Sequence, residues 1–135
     1  MIASNRFPNT TAHPSAVRLS APNILLRLEG LALFSAAVAA YIHFRGSGVL
    51  FAVLLLTPDL TFAAYLINPR VGAWGYNIAH WLPMPLALTA FALATGDLNA
   101  LLIALIWFAH IGMDRTVGYG LKYPSAFKDT HMGRV

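Results

Sequence analysis

GVLFAVLLLTPDLTFAAYLINPR, residues 48 to 70, decides the fold. Between Gly48 and Ile67 its only charged side chain is Asp59. The remaining residues are apolar around most of the circumference of a helix. A soluble amphipathic helix confines its apolar side chains to one stripe. About 20 residues of this kind cross the hydrocarbon core of a bilayer. The run closes on NPR, residues 68 to 70, which is turn chemistry.

Three further runs of the same character surround it. The four predicted spans are about 24–44, 48–67, 71–95 and 98–117. RGSG (45–48), NPR and TGD (95–97) separate them, and connections this short force neighbouring helices to be antiparallel and adjacent. Composition agrees: the 135 residues are 58% hydrophobic and 10% charged, with mean hydropathy +0.63. Soluble domains carry roughly a quarter charged residues. The expectation is an all-α fold, a polytopic membrane four-helix bundle, comprising residues 23–135 with a C-terminal segment 118–135.

Residues 1–22 are polar and rich in proline and small residues. They lack the apolar core and cleavage pattern of a signal peptide, so they read as a mobile tail. With no cysteine, disulfides and thiolate metal sites are excluded. The net charge of +4 does not indicate nucleic acid, because the basic residues form no patch with interleaved aromatics. They flank the spans instead. Eight of the nine Lys and Arg, all but Arg45, fall on the side of the two termini. By the positive-inside rule both termini face the cytoplasm, which suits a bacterial inner membrane.

Placing each polar intramembrane residue by depth, at about 1.5 Å per residue, gathers them in the half nearer the termini. Glu29 comes from the first span, Asp59 from the second, Asn77 and His80 from the third, and His110 and Asp114 from the fourth. Asn77 and His80 are spaced i,i+3 and His110 and Asp114 i,i+4, so each pair shares a helix face. Pro58 removes a backbone N–H beside Asp59, a break that lipid tolerates only where it faces protein or a wet cavity. Pro83 and Pro85 kink the third span just beyond His80. Ionisable groups at this depth are costly and by default mark a site.

Two imidazoles and up to three carboxylates suit Zn, Mn or Fe, although no HExxH spacing is present. Without a metal, Asp59 or Glu29 would be a general acid beside a histidine base. Two histidines on different helices could also ligate haem. In these readings Asp59 is acid or ligand, His80 and His110 are bases or ligands, and Asp114 orients His110 or joins Asp59, His80 and His110 as a metal ligand. After Val117, GYG (118–120), Lys122 and KDTH (128–131) form either a basic anchor on anionic lipid or a lid folded under the pocket. In the second case Phe127 helps to order it, and Asn77, Arg115, Lys122 and His131 bind substrate, the three cationic groups holding an anionic head group.

RLEG (27–30), PDL (58–60), NPRVGAWGYNIAH (68–80) and HIGMDRTVGYGLKYPSAFKDTHMGR (110–134) resemble a family of small bacterial integral-membrane proteins, domain of unknown function 4260. The resemblance covers about residues 23 to 135. It implies a four-span membrane protein and brings with it no activity, substrate or catalytic residue. From the residues themselves the expectation is an enzyme in contact with membrane lipids, acting on a lipid or isoprenoid-like amphiphile. The alternatives are a small transporter or proton relay working as a homo-oligomer, or a structural bundle.

Overall fold

The computed structural model describes residues 20–125 and 128–134. The expected tail lies almost wholly outside the described residues, with Arg6 and Arg18, and so does Phe127. The described chain forms α1 (Ala21–His43), α2 (Gly48–Leu54), a 3-10 helix (Thr57–Leu66), α3 (Pro69–Ala79), α4 (Pro83–Thr95) and α5 (Leu98–Val117), then a short 3-10 turn, His131–Gly133. No strand forms among the described residues; a single antiparallel bridge pairs Lys122 with Thr130.

Among the described residues four helical stretches are long and apolar enough to cross a membrane: Ala21–His43, Gly48–Leu66, Pro69–Thr95 and Leu98–Val117. The expected spans match these within three residues at each end. Polar residues at their starts act as caps. Ser20, Ser47, Asn68 and Asp97 accept hydrogen bonds from backbone N–H groups in the first turns of α1, α2, α3 and α5. Those donors have no partner within the helix.

Large apolar side chains point outward along the bundle, among them Leu66 at 90% exposure, Val49 at 76% and Leu93 at 70%. A surface of this kind suits lipid and not water. α5 is the central element, packed against α1 and α4, with half of its most apolar window buried. Tyr41, Leu102 and Ile106 form an apolar core in the half away from the termini.

Two of the four spans are not continuous α-helices, and proline accounts for both departures. Pro58 cannot bond the Leu54 carbonyl a turn earlier; the Thr57 hydroxyl donates to that oxygen at 2.7 Å, and the chain winds on as a 3-10 helix. Pro83 likewise cannot bond the Ala79 carbonyl. The Trp107 indole N–H reaches across from α5 and donates to it at 2.6 Å. The third span therefore breaks into α3 and α4 at His80–Leu82, and both freed carbonyls are satisfied without water.

Candidate metal centre

His80 caps the C-terminus of α3, where the helix breaks before Pro83. Its ring turns back onto α3 and stacks on Tyr76, with centroids 3.7 Å apart and planes 15° apart. Tyr76 in turn stacks on Phe62 of the 3-10 helix at 5.1 Å. His80 Nδ1 lies 2.8 Å from the Tyr76 carbonyl oxygen. A carbonyl can only accept, so Nδ1 carries the proton and Nε2 of the neutral ring presents its lone pair.

That lone pair faces three other ligand atoms. His80 Nε2 is 2.9 Å from His110 Nε2, and 3.4 Å from both Asp59 Oδ1 and Asp114 Oδ2. His110 Nε2 is 3.6 Å from Asp59 and 3.8 Å from Asp114. All four atoms lie within 4.8 Å of one another. A tetrahedral ion with bonds of about 2.0–2.2 Å has ligand–ligand edges of roughly 3.3–3.6 Å. The observed separations straddle that range. His80, His110 and Asp114 are buried, whereas the Asp59 side chain is 33% exposed.

A divalent cation among two carboxylates and two neutral imidazoles leaves no net charge, as a low-dielectric interior favours. His80 is already oriented through its other nitrogen by the Tyr76 carbonyl, a typical outer-shell arrangement for a metal-bound histidine. Asp114 accepts a hydrogen bond from the Tyr76 hydroxyl at 3.0 Å. Of the two roles expected for Asp114, orienting His110 or joining the ligand set, its position suits the second: Oδ2 lies 3.8 Å from His110 Nε2, beside the other three atoms. His110 Nδ1 is buried and finds no hydrogen-bond partner among the described residues. With both Nε2 atoms converging at 2.9 Å, no gap remains between the imidazoles for a macrocycle, so the haem alternative is set aside.

A cavity of about 250 Å³ opens beside this cluster, lined by Asp59, Phe62, Tyr76, Asp114, Tyr119 and Lys122. Lys122 is buried, with Nζ 4.9 Å from the Phe62 ring centroid and 4.8 Å from that of Tyr76. Burial pushes its ammonium below the ordinary lysine value, and the carboxylates of Asp114 and Asp59 pull it back. Asn77 explains why Lys122 sits here. Its Nδ2 donates to the Lys122 carbonyl at 2.8 Å, and its Oδ1 accepts from the Lys122 N–H at 2.7 Å. On either side, Leu121 and Tyr123 bond to the backbone of His131 and Asp129. The side chain of Asn77 thus acts as an extra strand beside the C-terminal segment.

Met132 is buried, and its carbonyl accepts from Asn23 Nδ2 of α1 at 2.7 Å, tying the segment beneath the bundle. Asn77→Ala is expected to cost roughly 1–3 kcal/mol, since it leaves both groups of Lys122 unpaired. The loss should appear as faster amide exchange confined to residues 119–125 and 128–134.

Of the sequence-predicted residues, Asp59, His80, His110 and Asp114 meet in one cluster and Lys122 borders its cavity. Asn77 holds backbone instead of facing the cavity. Glu29 is exposed on α1, outside the cluster. Arg115 is half-buried and acts on Glu29 across the α1–α5 contact. It also borders a narrow crevice behind His80 and Asp114. His131 packs against Gly120, away from the cluster. Sequence reading missed Tyr76 and Phe62. The i,i+4 spacing of Tyr76 to His80 and the i,i+3 spacing of Phe62 to Asp59 were usable signals.

The sequence model of one protein family, described as Domain of unknown function (DUF4260), matches residues 23–135. No curated protein and no solved structure matches the chain.

Proposed function

The chain belongs to the DUF4260 family, described as a domain of unknown function, and from its own geometry we propose that it is a membrane enzyme built on a divalent-metal centre. Support rests on one observation. Two imidazole nitrogens and two carboxylate oxygens, carried on three separate elements, converge on a space the size of one ion. In this reading the buried set His80, His110 and Asp114 holds the metal. Asp59, partly open to the cavity, is the fourth ligand or the base that a bound water meets. A metal lowers the pKa of its water to about 7. As base, Asp59 would take a proton from that water and pass it to the leaving alcohol as the C–O or P–O bond breaks, which suits hydrolysis of an ester or phosphoester of an amphiphile, lipid or isoprenoid-like, drawn from the bilayer.

The orientation completes the proposal. Both termini and the C-terminal segment face the cytoplasm of a bacterial inner membrane, so the cavity opens to the inner leaflet. Transport is the weaker reading because the Tyr41–Leu102–Ile106 core fills the other half of the bundle.

Elemental analysis of detergent-purified protein, followed by exchange of the bound ion for Co²⁺, tests the centre. The expected results are about one divalent ion per chain and the intense visible absorption of a distorted tetrahedral cobalt site. Protein that retains no divalent ion and stays colourless with Co²⁺ would end the metal reading.

A further inference from the structure

Tyr76 meets the cluster through its carbonyl, its ring and its hydroxyl. The carbonyl holds His80 Nδ1 at 2.8 Å, and the ring stacks on the same imidazole with centroids 3.7 Å apart. The hydroxyl donates to Asp114 Oδ2 at 3.0 Å. That oxygen is also the one facing His80 Nε2 at 3.4 Å and His110 Nε2 at 3.8 Å. One residue of α3 therefore fixes a ligand on its own helix and another on α5. His110 lacks such support, since its Nδ1 finds no hydrogen-bond partner among the described residues.

The hydroxyl is the informative group. Tyr76 is 2% exposed, and a phenylalanine would fill the same space between Phe62 and His80 with nothing polar to bury. A buried hydroxyl costs free energy unless it is bonded, so packing alone does not ask for tyrosine here. Its bond to Oδ2 has two consequences for an ion in the cluster. It draws electron density from the oxygen that would bind the ion, and it stops the carboxylate from turning. The first weakens binding and the second strengthens it. Orientation is the larger effect, because losing an outer-shell partner ordinarily lowers metal affinity by roughly ten- to a hundredfold.

We propose that the Tyr76 hydroxyl is the positioning group of the metal centre, holding Asp114 to the ion through Oδ2 alone. This inference rests on the metal-centre reading and goes beyond its ligand set. With Asp114 limited to one oxygen, His80, His110 and Asp114 supply three donor atoms. Three protein donors and one open position are the pattern of catalytic zinc sites. The open position then faces Asp59 and the cavity that Tyr76, Asp59 and Asp114 all line.

Cobalt absorption of the full chain in detergent, wild type beside Tyr76→Phe, tests it. The variant keeps the ring, its stack and the carbonyl, and loses only the hydroxyl. The second Asp114 oxygen should then turn to the ion and raise its coordination number. The visible cobalt band should fall by roughly twofold or more, because tetrahedral cobalt absorbs more strongly than five- or six-coordinate cobalt. Affinity for Co²⁺ should weaken by roughly ten- to a hundredfold. Melting of both proteins in chelator separates this from a role in the fold. A lower melting point with unchanged cobalt band and affinity would overturn the proposal. Should Tyr76→Phe not fold, 3-fluorotyrosine in place of Tyr76 keeps the hydroxyl and alters its acidity. The band must still move, and one identical to wild type would overturn the proposal equally. Wild-type protein that takes up no Co²⁺ ends the metal centre and this role together. Coloured wild type with an unaltered band in Tyr76→Phe ends this role alone.

Discussion

His110→Ala is expected to lower divalent-metal affinity by roughly a hundredfold or more, since even outer-shell partners of a metal site are worth ten- to a hundredfold. His110 is wholly buried on α5, the most enclosed helix of the bundle, and its Nε2 is one of the four converging atoms. No other histidine of the described chain lies in the cluster except His80, so nothing replaces it. The loss should also be visible in stability. A ligand at a hundred times its Kd stabilises a native protein by about 2.7 kcal/mol. Wild-type protein should therefore melt higher with added metal than with chelator, while His110→Ala melts at the same temperature in both.

His80→Ala provides the contrast. It removes the other converging imidazole but also the stack on Tyr76 and the bond to the Tyr76 carbonyl. It should therefore melt lower than wild type even in chelator. Should His110→Ala bind metal with wild-type stoichiometry and affinity, the ion sits somewhere other than this cluster.

The spans and the polar half of the bundle were legible because both follow from local chemistry. Long apolar runs need no partner to be recognised, and turn residues such as Ser47, Asn68 and Asp97 declare the helix starts they cap. His110 and Asp114 were placed together by helical period alone, and that period held because α5 is an uninterrupted helix. The pairing of Asn77 with His80 failed for the converse reason. The break after His80 swings its ring inward, whereas Asn77, still in α3, faces the C-terminal segment. Winding of the second span as 3-10 after Leu56 tightens the i,i+3 pair of Asp59 and Phe62, so that their side chains eclipse on one face. Lys122 illustrates the remaining limit. Its place at the cavity depends on bonds to Asn77 that are 45 residues away in sequence, and no local pattern encodes a partner at that distance.

Gly112→Leu should be the most destabilising single change in the bundle. α1 crosses α5 at Gly30 and Gly112, with backbone against backbone. A Cβ on Gly112 would lie 2.6 Å from the Phe34 nitrogen and 2.8 Å from the Gly30 carbonyl oxygen. A Cβ on Gly30 would meet Arg115 Cβ at 2.6 Å and the Gly112 carbonyl oxygen at 2.9 Å. Neither neighbour is a flexible side chain end that can swing away, so the helices must separate. In lipid, close packing of small residues is a main source of helix association, because no hydrophobic effect drives one apolar helix onto another. Overpacking a core ordinarily costs about 1–3 kcal/mol, and here the strain falls on main chain, so about 3 kcal/mol or more is expected in detergent unfolding. Gly48→Leu is the matched control, because a Cβ there meets nothing within 4 Å. The effect should also reach the metal: Gly112 lies between His110 and Asp114 on α5, and α1 anchors the C-terminal segment through Asn23 and Met132. Forcing α1 away should loosen that segment, and Lys122 with it, before the ligands on α5 separate. Amide exchange that rises first at residues 119–134 while cobalt absorption persists would place the two failures in that order. Stability close to wild type in Gly112→Leu would mean that α1 and α5 do not cross at these glycines.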